Sequence, residues 1–275
     1  MSLPPIFYHY FRLPLPYVRT LALQEQLHTL QLAQRRIGTH KDILLLLEHR
    51  PVYTAGRRQL SSDPAVLADE QRLTRIGADF VATKRGGQYT YHGPGQLIGY
   101  PLLDLGRTAP PTGIRDYICQ LQTALRRHLA EAHDIVTSAA NDSTGVFLDA
   151  HNKVASIGVQ VRHRLTAHGF SLNVTPEPLA WFDQVVACGL EDVKAACIAN
   201  ASQRHSPDDV SVEGEISGLT ERLGRAFGRD MAPLDLKAEP EIGMMIEEVE
   251  EEARKVGDWH KEPLVQSQRG CFGSR

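Results

Sequence analysis

Apolar and polar positions along the chain follow two periods, and the switches between them outline the fold. Pro16 followed by Val18, Leu21, Ala22, Leu27, Leu30 and Ala33 predicts an early helix with proline in its first turn. Asp42-Ile-Leu-Leu-Leu-Leu-Glu48 is a short continuous apolar run, which predicts a strand covered on both faces. Asp63-Pro64 opens a short helix that Gly77 closes, and Phe80-Val-Ala-Thr83 leads as a strand into a glycine-rich stretch. Ile114, Tyr117, Ile118, Leu121, Leu125 and Leu129 recur at helical spacing and give the clearest amphipathic helix.

A hairpin pattern follows. Lys153, Ala155, Ile157, Val159 and Val161 share one strand face, because residues two apart point the same way. After the polar turn Arg162-His-Arg164, His168, Phe170, Leu172 and Val174 share a face of the returning strand. Val212, Ile216, Leu219, Leu223 and Phe227 mark a second long helix. From Pro233 the pattern weakens, and Glu247, Glu248, Glu250, Glu251 and Glu252 crowd together. Residues 1–232 are therefore expected to form the main folded domain. Residues 233–275 are expected to be an acidic extension, a solvated and partly disordered tail or a loosely docked helix. Strands interleaved with helices, and at least one hairpin, indicate an α/β or α+β domain: a mixed β-sheet with surrounding helices.

Composition narrows the classes. The 275 residues are 42% hydrophobic and 23% charged, as in soluble globular proteins, and a formal charge of −3 argues against a dedicated nucleic-acid binder. No apolar run approaches the roughly 20 residues that span a bilayer, so no membrane partner is expected. Cys119, Cys188, Cys197 and Cys271 are too scattered for a disulfide framework, and no CxxC pair offers a zinc site. A metal site from Cys188, Cys197, His163 and His168 fails on spacing. Arg12 and Arg19, with no acid in the first two dozen residues, give a weak presequence-like character.

The candidate chemistry gathers at a few positions. "RGGQYTYHGPGQLIGY", residues 85–100, holds five glycines, and glycine lets a backbone approach a ligand closely. The stretch matches neither the dinucleotide pattern GxGxxG nor the P-loop GxxxxGK[ST]. Gln88, Thr90 and His92 fall on one strand face, Tyr89 and Tyr91 on the other. Lys153 stands among apolar face-mates, so its ammonium must snorkel, find a partner or shift its pKa. Cys188, in Val-Val-Ala-Cys-Gly-Leu, reads either as an inert core thiol or as a nucleophile that Gly189 exposes at a turn. His92 and His168 are either rim histidines or acid–base groups.

Together these segments resemble the lipoyl(octanoyl) transferases. The resemblance lies in "EHRPVYTAGRR" (48–58), "RGGQYTYHGPGQLIGYPLLDL" (85–105), "GVFLDAHNKVASIGVQVRHRLTAHGFSLNV" (145–174) and "VACGL" (186–190), in the family's order. "NDSTGVF" (141–147) departs from it, since the family more usually has proline before the glycine. The resemblance implies the fold of biotin and lipoate protein ligases, with Cys188 and Lys153 as the catalytic pair. It further implies substrate contacts from Arg85, Gly86, Gly87, Gln88, Tyr89, Thr90, Tyr91 and His92. Ser156, Ile157 and Gly158, and then His168, Gly169, Phe170 and Ser171, complete that set. The implied reaction moves an octanoyl or lipoyl group from acyl carrier protein to a lysine of a lipoyl domain through a cysteine acyl-enzyme.

The donor thioester is already activated, so neither ATP nor a metal is expected as cofactor. Partners implied are acyl carrier protein, the lipoyl domains of 2-oxoacid dehydrogenase E2 subunits, and the glycine cleavage H protein, met by a monomer. Arg57, Arg58, Arg85, Arg162 and Arg164 are the candidate basic docking rim. A mitochondrial setting is expected, with a cytoplasmic bacterial one as the alternative. Competing readings are an ATP-dependent lipoate–protein ligase of the same fold and an inactive binding homologue.

Overall fold

A computed structural model of the chain describes residues 3–59, 61–138, 144–185, 192–255 and 257–264. The first half contains β1 (Ile6–Tyr10), α1 (Tyr17–Arg35), β2 (Asp42–Leu47), β3 (Val52–Ala55), α2 (Pro64–Arg75), β4 (Asp79–Ala82), β5 (Thr90–His92), β6 (Gln96–Leu102) and α3 (Ile114–His133). The second half contains β7 (Val146–Phe147), β8 (Asn152–Arg162), β9 (Leu165–Asn173), α4 (Glu177–Phe182) and β10 (Lys194–Ala195). It closes with α5 (Ile198–Ala201), α6 (Val212–Phe227), β11 (Met231–Pro233) and α7 (Pro240–Lys255).

The main sheet runs β10-β8-β9-β6-β2-β1-β11, with β7 paired to β8, and mixes parallel and antiparallel neighbours. A smaller sheet, β4-β3-β5, stands beside it. The apolar run of β2 is covered on both faces, as its pattern requires. Leu44 and Leu46 join Leu121, Leu125 and Leu129 of α3 and Leu219 and Leu223 of α6 in one core. Ile43, Leu45 and Leu47 join Leu23 and Leu27 of α1 on the opposite side. Asp63 caps α2 by accepting from the Ala65 N–H, and Ser211 caps α6 by accepting from Gly214.

Helices α3 and α6 are tied by a buried carboxylate. Glu215 accepts from His128 Nε2 at 2.6 Å and from His133 Nε2 at 2.8 Å. Burial pushes the Glu215 carboxyl upward, but the two imidazoles overcome it and hold its pKa at about 2.

The stretch after Pro233 takes the helical alternative rather than that of a solvated tail. Ile242, Ile246, Val249 and Ala253 of α7 are buried in the same core as Leu23, Leu27 and Ile43. Their spacing is helical, and the neighbouring glutamates occupy the wet face and mask it in the sequence. Beyond α7, the chain stays docked: the Trp181 indole N–H donates to the Lys261 carbonyl, and the Leu264 N–H to that of Ile76.

The β8–β9 hairpin turns through His163 and Arg164, whose φ angles are 52° and 66°. Both lie in the left-handed region that tight hairpins demand, without glycine. Their carbonyls are held, His163 by the Arg35 guanidinium at 2.7 Å and Arg164 by the Leu105 N–H at 2.9 Å.

Candidate active site

The glycine-rich stretch forms one wall of a cavity between the small sheet and the β8–β9 hairpin. Arg85 fixes that wall from inside. Its guanidinium donates to the Thr54 carbonyl at 2.6 Å, the Thr54 hydroxyl at 2.7 Å, the Gln88 carbonyl at 2.8 Å and the Gly86 carbonyl at 3.0 Å. The Gly86 N–H reaches across to the Val159 carbonyl at 3.2 Å, joining the loop to β8. Gly87 has φ 90°, and its carbonyl lies so close to Gly56 that a Cβ at Gly56 would come within 2.3 Å of it. Glycine is required at both positions by space and backbone conformation.

Arg85, Gly86, Gly87, Thr90 and His92 line the cavity from this wall. Ser156, Ile157 and Gly158 of β8 and His168, Gly169, Phe170 and Ser171 of β9 line it from the hairpin. The hairpin register sets these groups opposite one another, Ser156 against Ser171, Ile157 against Phe170 and Gly158 against Gly169. Three expected contacts do not reach it. Tyr91 points to the other side of β5 and is buried against Trp181, stacked at 5.3 Å, while Tyr89 packs against Phe80 at 6.1 Å. Gln88 precedes the strand and serves Arg85 through its carbonyl.

His168 departs from simple alternation. Its neighbours Phe170, Leu172 and Val174 belong to the core under α3, but at His168 φ is 57°. That left-handed residue breaks the strand period, and the imidazole lies 6.3 Å from the Tyr100 ring, beside the cavity. Its backbone N–H donates to Gln24 Oε1 of α1 at 2.7 Å.

Tyr17 and Tyr100 also line the cavity and were not anticipated. Tyr100 ends the glycine-rich string itself, so a signal existed; Tyr17 opens α1 with nothing in its surroundings to mark it. The two hydroxyls are hydrogen-bonded, and Tyr100 in turn reaches His49 Nε2 at 2.7 Å. His49 Nδ1 donates to the Leu15 carbonyl, so Nε2 accepts from Tyr100 and the chain of protons runs from Tyr17 inward. Burial lowers the pKa of His49 to about 4 and that of His168 to about 3. Burial, followed by the nearness of His49, likewise takes His92 well below its ordinary value. The cavity therefore presents uncharged imidazoles at neutral pH.

Lys153 lies outside the cavity lining, three residues before Ser156 on the same strand. It is buried at 8% exposure, with Nζ 5.2 Å from the centre of the Phe147 ring. Its carbonyl accepts from the Ala196 N–H at 2.8 Å, and β10 pairs with β8 at this point. Cys188 lies outside the described residues, as do Asn141, Asp142 and Ser143 of the divergent "NDSTGVF" string. Of the other described thiols, Cys197 is buried, which raises its pKa, and Cys119 is exposed on α3 rather than packed. Arg57, Arg58 and Arg164 are exposed, whereas Arg162 is held by Glu25 at 2.7 Å. Arg85 is internal and is not a rim residue.

With this geometry in place, likeness to known proteins becomes decisive. Residues 16–214 match the family described as the lipoyl protein ligase A/B catalytic domain. The chain belongs to that family. Within the lipoyl protein ligase A/B family, the chain is similar to the mitochondrial octanoyl-[acyl-carrier-protein]:protein N-octanoyltransferase LIPT2 of Danio rerio. The two are 35% identical over 70% of this chain and 86% of the relative. It is 36% identical to an octanoyltransferase of Leifsonia xyli over 80% of this chain and 91% of that one. Solved structures of the family share the fold. A lipoate-protein ligase A bound with ATP aligns with TM-score 0.58 at 12% identity, covering 90% of this chain and 95% of that one. The bi-partite lipoate protein ligase of Thermoplasma acidophilum aligns with TM-score 0.59 at 12% identity, covering 98% and 100%.

Proposed function

We propose that the chain is an octanoyltransferase of protein lipoylation, moving an octanoyl group from acyl carrier protein to a lysine of a lipoyl domain. The observation that carries the reading is the cavity floored by Gly86, Gly87, Gly158 and Gly169 and walled by Ile157 and Phe170. Glycine floors leave a slot for an unbranched chain, and the apolar walls of Ile157 and Phe170 suit a hydrocarbon, the Arg85 guanidinium being engaged by the Thr54, Gly86 and Gln88 carbonyls. Likeness to octanoyltransferases over most of the chain supports the same conclusion.

Cys188 is the proposed nucleophile. Its thiolate attacks the carrier thioester, the carrier thiol leaves, and the octanoyl group is held as an acyl-enzyme. Lys153 is proposed as the ammonium that favours the thiolate; it is already desolvated and seated beside the strand that follows residues 186–191. A thioester donor needs neither ATP nor a metal for transfer to an amine. The exposed Arg57, Arg58 and Arg164 are the proposed docking contacts for acidic carrier and acceptor domains. A mitochondrial setting is supported by the likeness to the Danio rerio protein.

The test uses octanoyl-acyl carrier protein with an unmodified lipoyl domain, read by intact mass. Octanoylated domain, and an octanoyl adduct on Cys188, are the expected products. Product from free octanoate and ATP, with none from the carrier thioester, establishes a ligase instead. No product from either donor leaves an inactive binding homologue.

A further inference from the structure

We propose that His128, His133 and Glu215 form a binding site for a zinc ion that joins α3 to α6, separate from the acyl cavity. None of the three lines that cavity. Their donor atoms converge from two helices. His128 Nε2 lies 2.6 Å and His133 Nε2 2.8 Å from the same oxygen, Glu215 Oε2, and all three atoms fall within 4.8 Å of one another. The residues are only 1%, 3% and 6% exposed. Two imidazole nitrogens and one carboxylate oxygen are a donor set that suits zinc, with water completing a tetrahedron.

The helices present these groups for local reasons. Glu215 stands in the first turn of α6, and His133 ends α3, where Asp134 at φ 57° turns the chain away. The two rings meet edge to face with centroids 5.5 Å apart. The end of α3 is held independently of the carboxylate. Arg204 donates to the Glu131 carbonyl at 2.8 Å, His205 Nε2 to that of Ala132 at 3.2 Å, and the Gln203 N–H to that of His133 at 3.0 Å.

A hydrogen-bonded tie alone accounts for the cluster less well. Both imidazoles crowd one oxygen, and among the described residues none donates to Glu215 Oε1. In the metal-free tie each ring gives its Nε2 proton to Glu215, which leaves each Nδ1 as a buried lone pair without a partner. Zinc relieves the crowding. Each Nε2 turns a lone pair to the ion, each ring proton moves to Nδ1, and Oε2 becomes the third ligand, so the protein loses no proton.

The adjustment needed is small. Tetrahedral coordination at about 2.0–2.1 Å sets donor atoms roughly 3.3 Å apart, so each ring retreats from Oε2 by about half an ångström. Gly218, one turn beyond Glu215, leaves His128 that room, since a Cβ there would come within 3.5 Å of its Cε1. The nearby Arg222 guanidinium is neutralised by Glu131 at 3.0 Å. Neither Nδ1 has an acceptor to fix its ring, which costs about 10–100-fold in affinity. A Kd of about 1 µM is therefore expected, weaker than that of four-ligand structural sites.

Full-length protein stripped with a chelator is titrated with zinc sulfate by calorimetry, and its melting temperature is followed in parallel. One ion per chain and a rise in melting temperature are expected. Glu215→Gln and His133→Gln should each weaken zinc binding by at least about 30-fold, whereas alkylating the cysteines should leave it unchanged. X-ray absorption of the zinc-loaded wild type should show two imidazoles, oxygen ligands and no sulfur, which carries the test should either variant fail to fold. Wild-type binding weaker than about 100 µM, binding that both variants keep, loss of binding on alkylation, or a sulfur shell overturns the assignment.

Discussion

The Ala196 N–H donates to the Lys153 carbonyl at 2.8 Å, and that bond seats the lysine's backbone against its neighbouring strand. It holds the start of β8 against β10, while the side chain is pressed over Phe147 on the other neighbour, β7. Gly145 completes the seat. Its φ is 133°, and a Cβ there would come within 2.6 Å of Lys153 Cε and 2.7 Å of the Ala155 carbonyl oxygen.

Replacing the ammonium tests its proposed effect on the thiol. Lys153→Met preserves length and burial, so the melting temperature is expected to hold or rise. At pH 7 an unassisted thiol near pKa 8.5 is only a few per cent ionised, so loading should fall about 30-fold. The deficit should shrink as pH rises toward 9, where the thiol ionises without help. A pH-independent deficit in stopped-flow loading assays counts against thiolate stabilisation.

Gly145→Ala reaches the same lysine through sterics. The methyl has no room beside Cε and adopts a strained φ, so stability is expected to drop by about 1–2 kcal/mol, with loading reduced as well. Denaturant midpoints and loading rates measured on one preparation check both halves.

Two adjacent glycines separate cavity shape from backbone strain. A Cβ at Gly86 meets only the Val159 carbonyl oxygen, at 3.6 Å, whereas Gly87 has φ 90°. Gly86→Ala should fold normally and penalise octanoyl donors more than butanoyl ones. Gly87→Ala should lower stability by about 1 kcal/mol and slow all chain lengths alike. A chain-length series of kcat/KM values beside thermal melts distinguishes them; identical profiles for the two variants refute the slot.

Acid stability should report on Glu215. Its folded pKa of about 2 lies below the unfolded carboxylate value, so its stabilisation is complete above pH 5 and is lost as pH falls toward 2. Glu215→Gln is expected to cost about 2 kcal/mol near pH 7, with the gap from wild type closing through that acidic range. Urea melts at pH 7, 5 and 3.5 measure it.

Much of this arrangement is legible in the amino-acid sequence. The unbroken apolar run Ile43–Leu47 announces a doubly covered strand, and it sits between two cores. The alternation Gln88, Thr90, His92 against Tyr89, Tyr91 sends Thr90 and His92 to the cavity and Tyr91 away from it. What escaped the sequence depends on single dihedrals or on distant partners. A left-handed His168 is invisible to a two-residue period, and α7 hides four apolar positions among glutamates. Arg85 reads as a docking-rim residue until Thr54 and Gln88 are found around its guanidinium. Tyr17 is brought to the cavity by helix docking alone.

The position of α7 has a consequence for how the chain is made. Ile242, Ile246 and Val249 cover the same core as Ile43, Leu45 and Ile98, which leave the ribosome far earlier. Until the last helix emerges, that side of the central sheet is covered by α1 alone and the apolar positions that α7 buries stay open, however complete the cavity on the far strands is. Synthesis halted near residue 233 is thus expected to yield a sticky, chaperone-dependent intermediate rather than a trimmed enzyme.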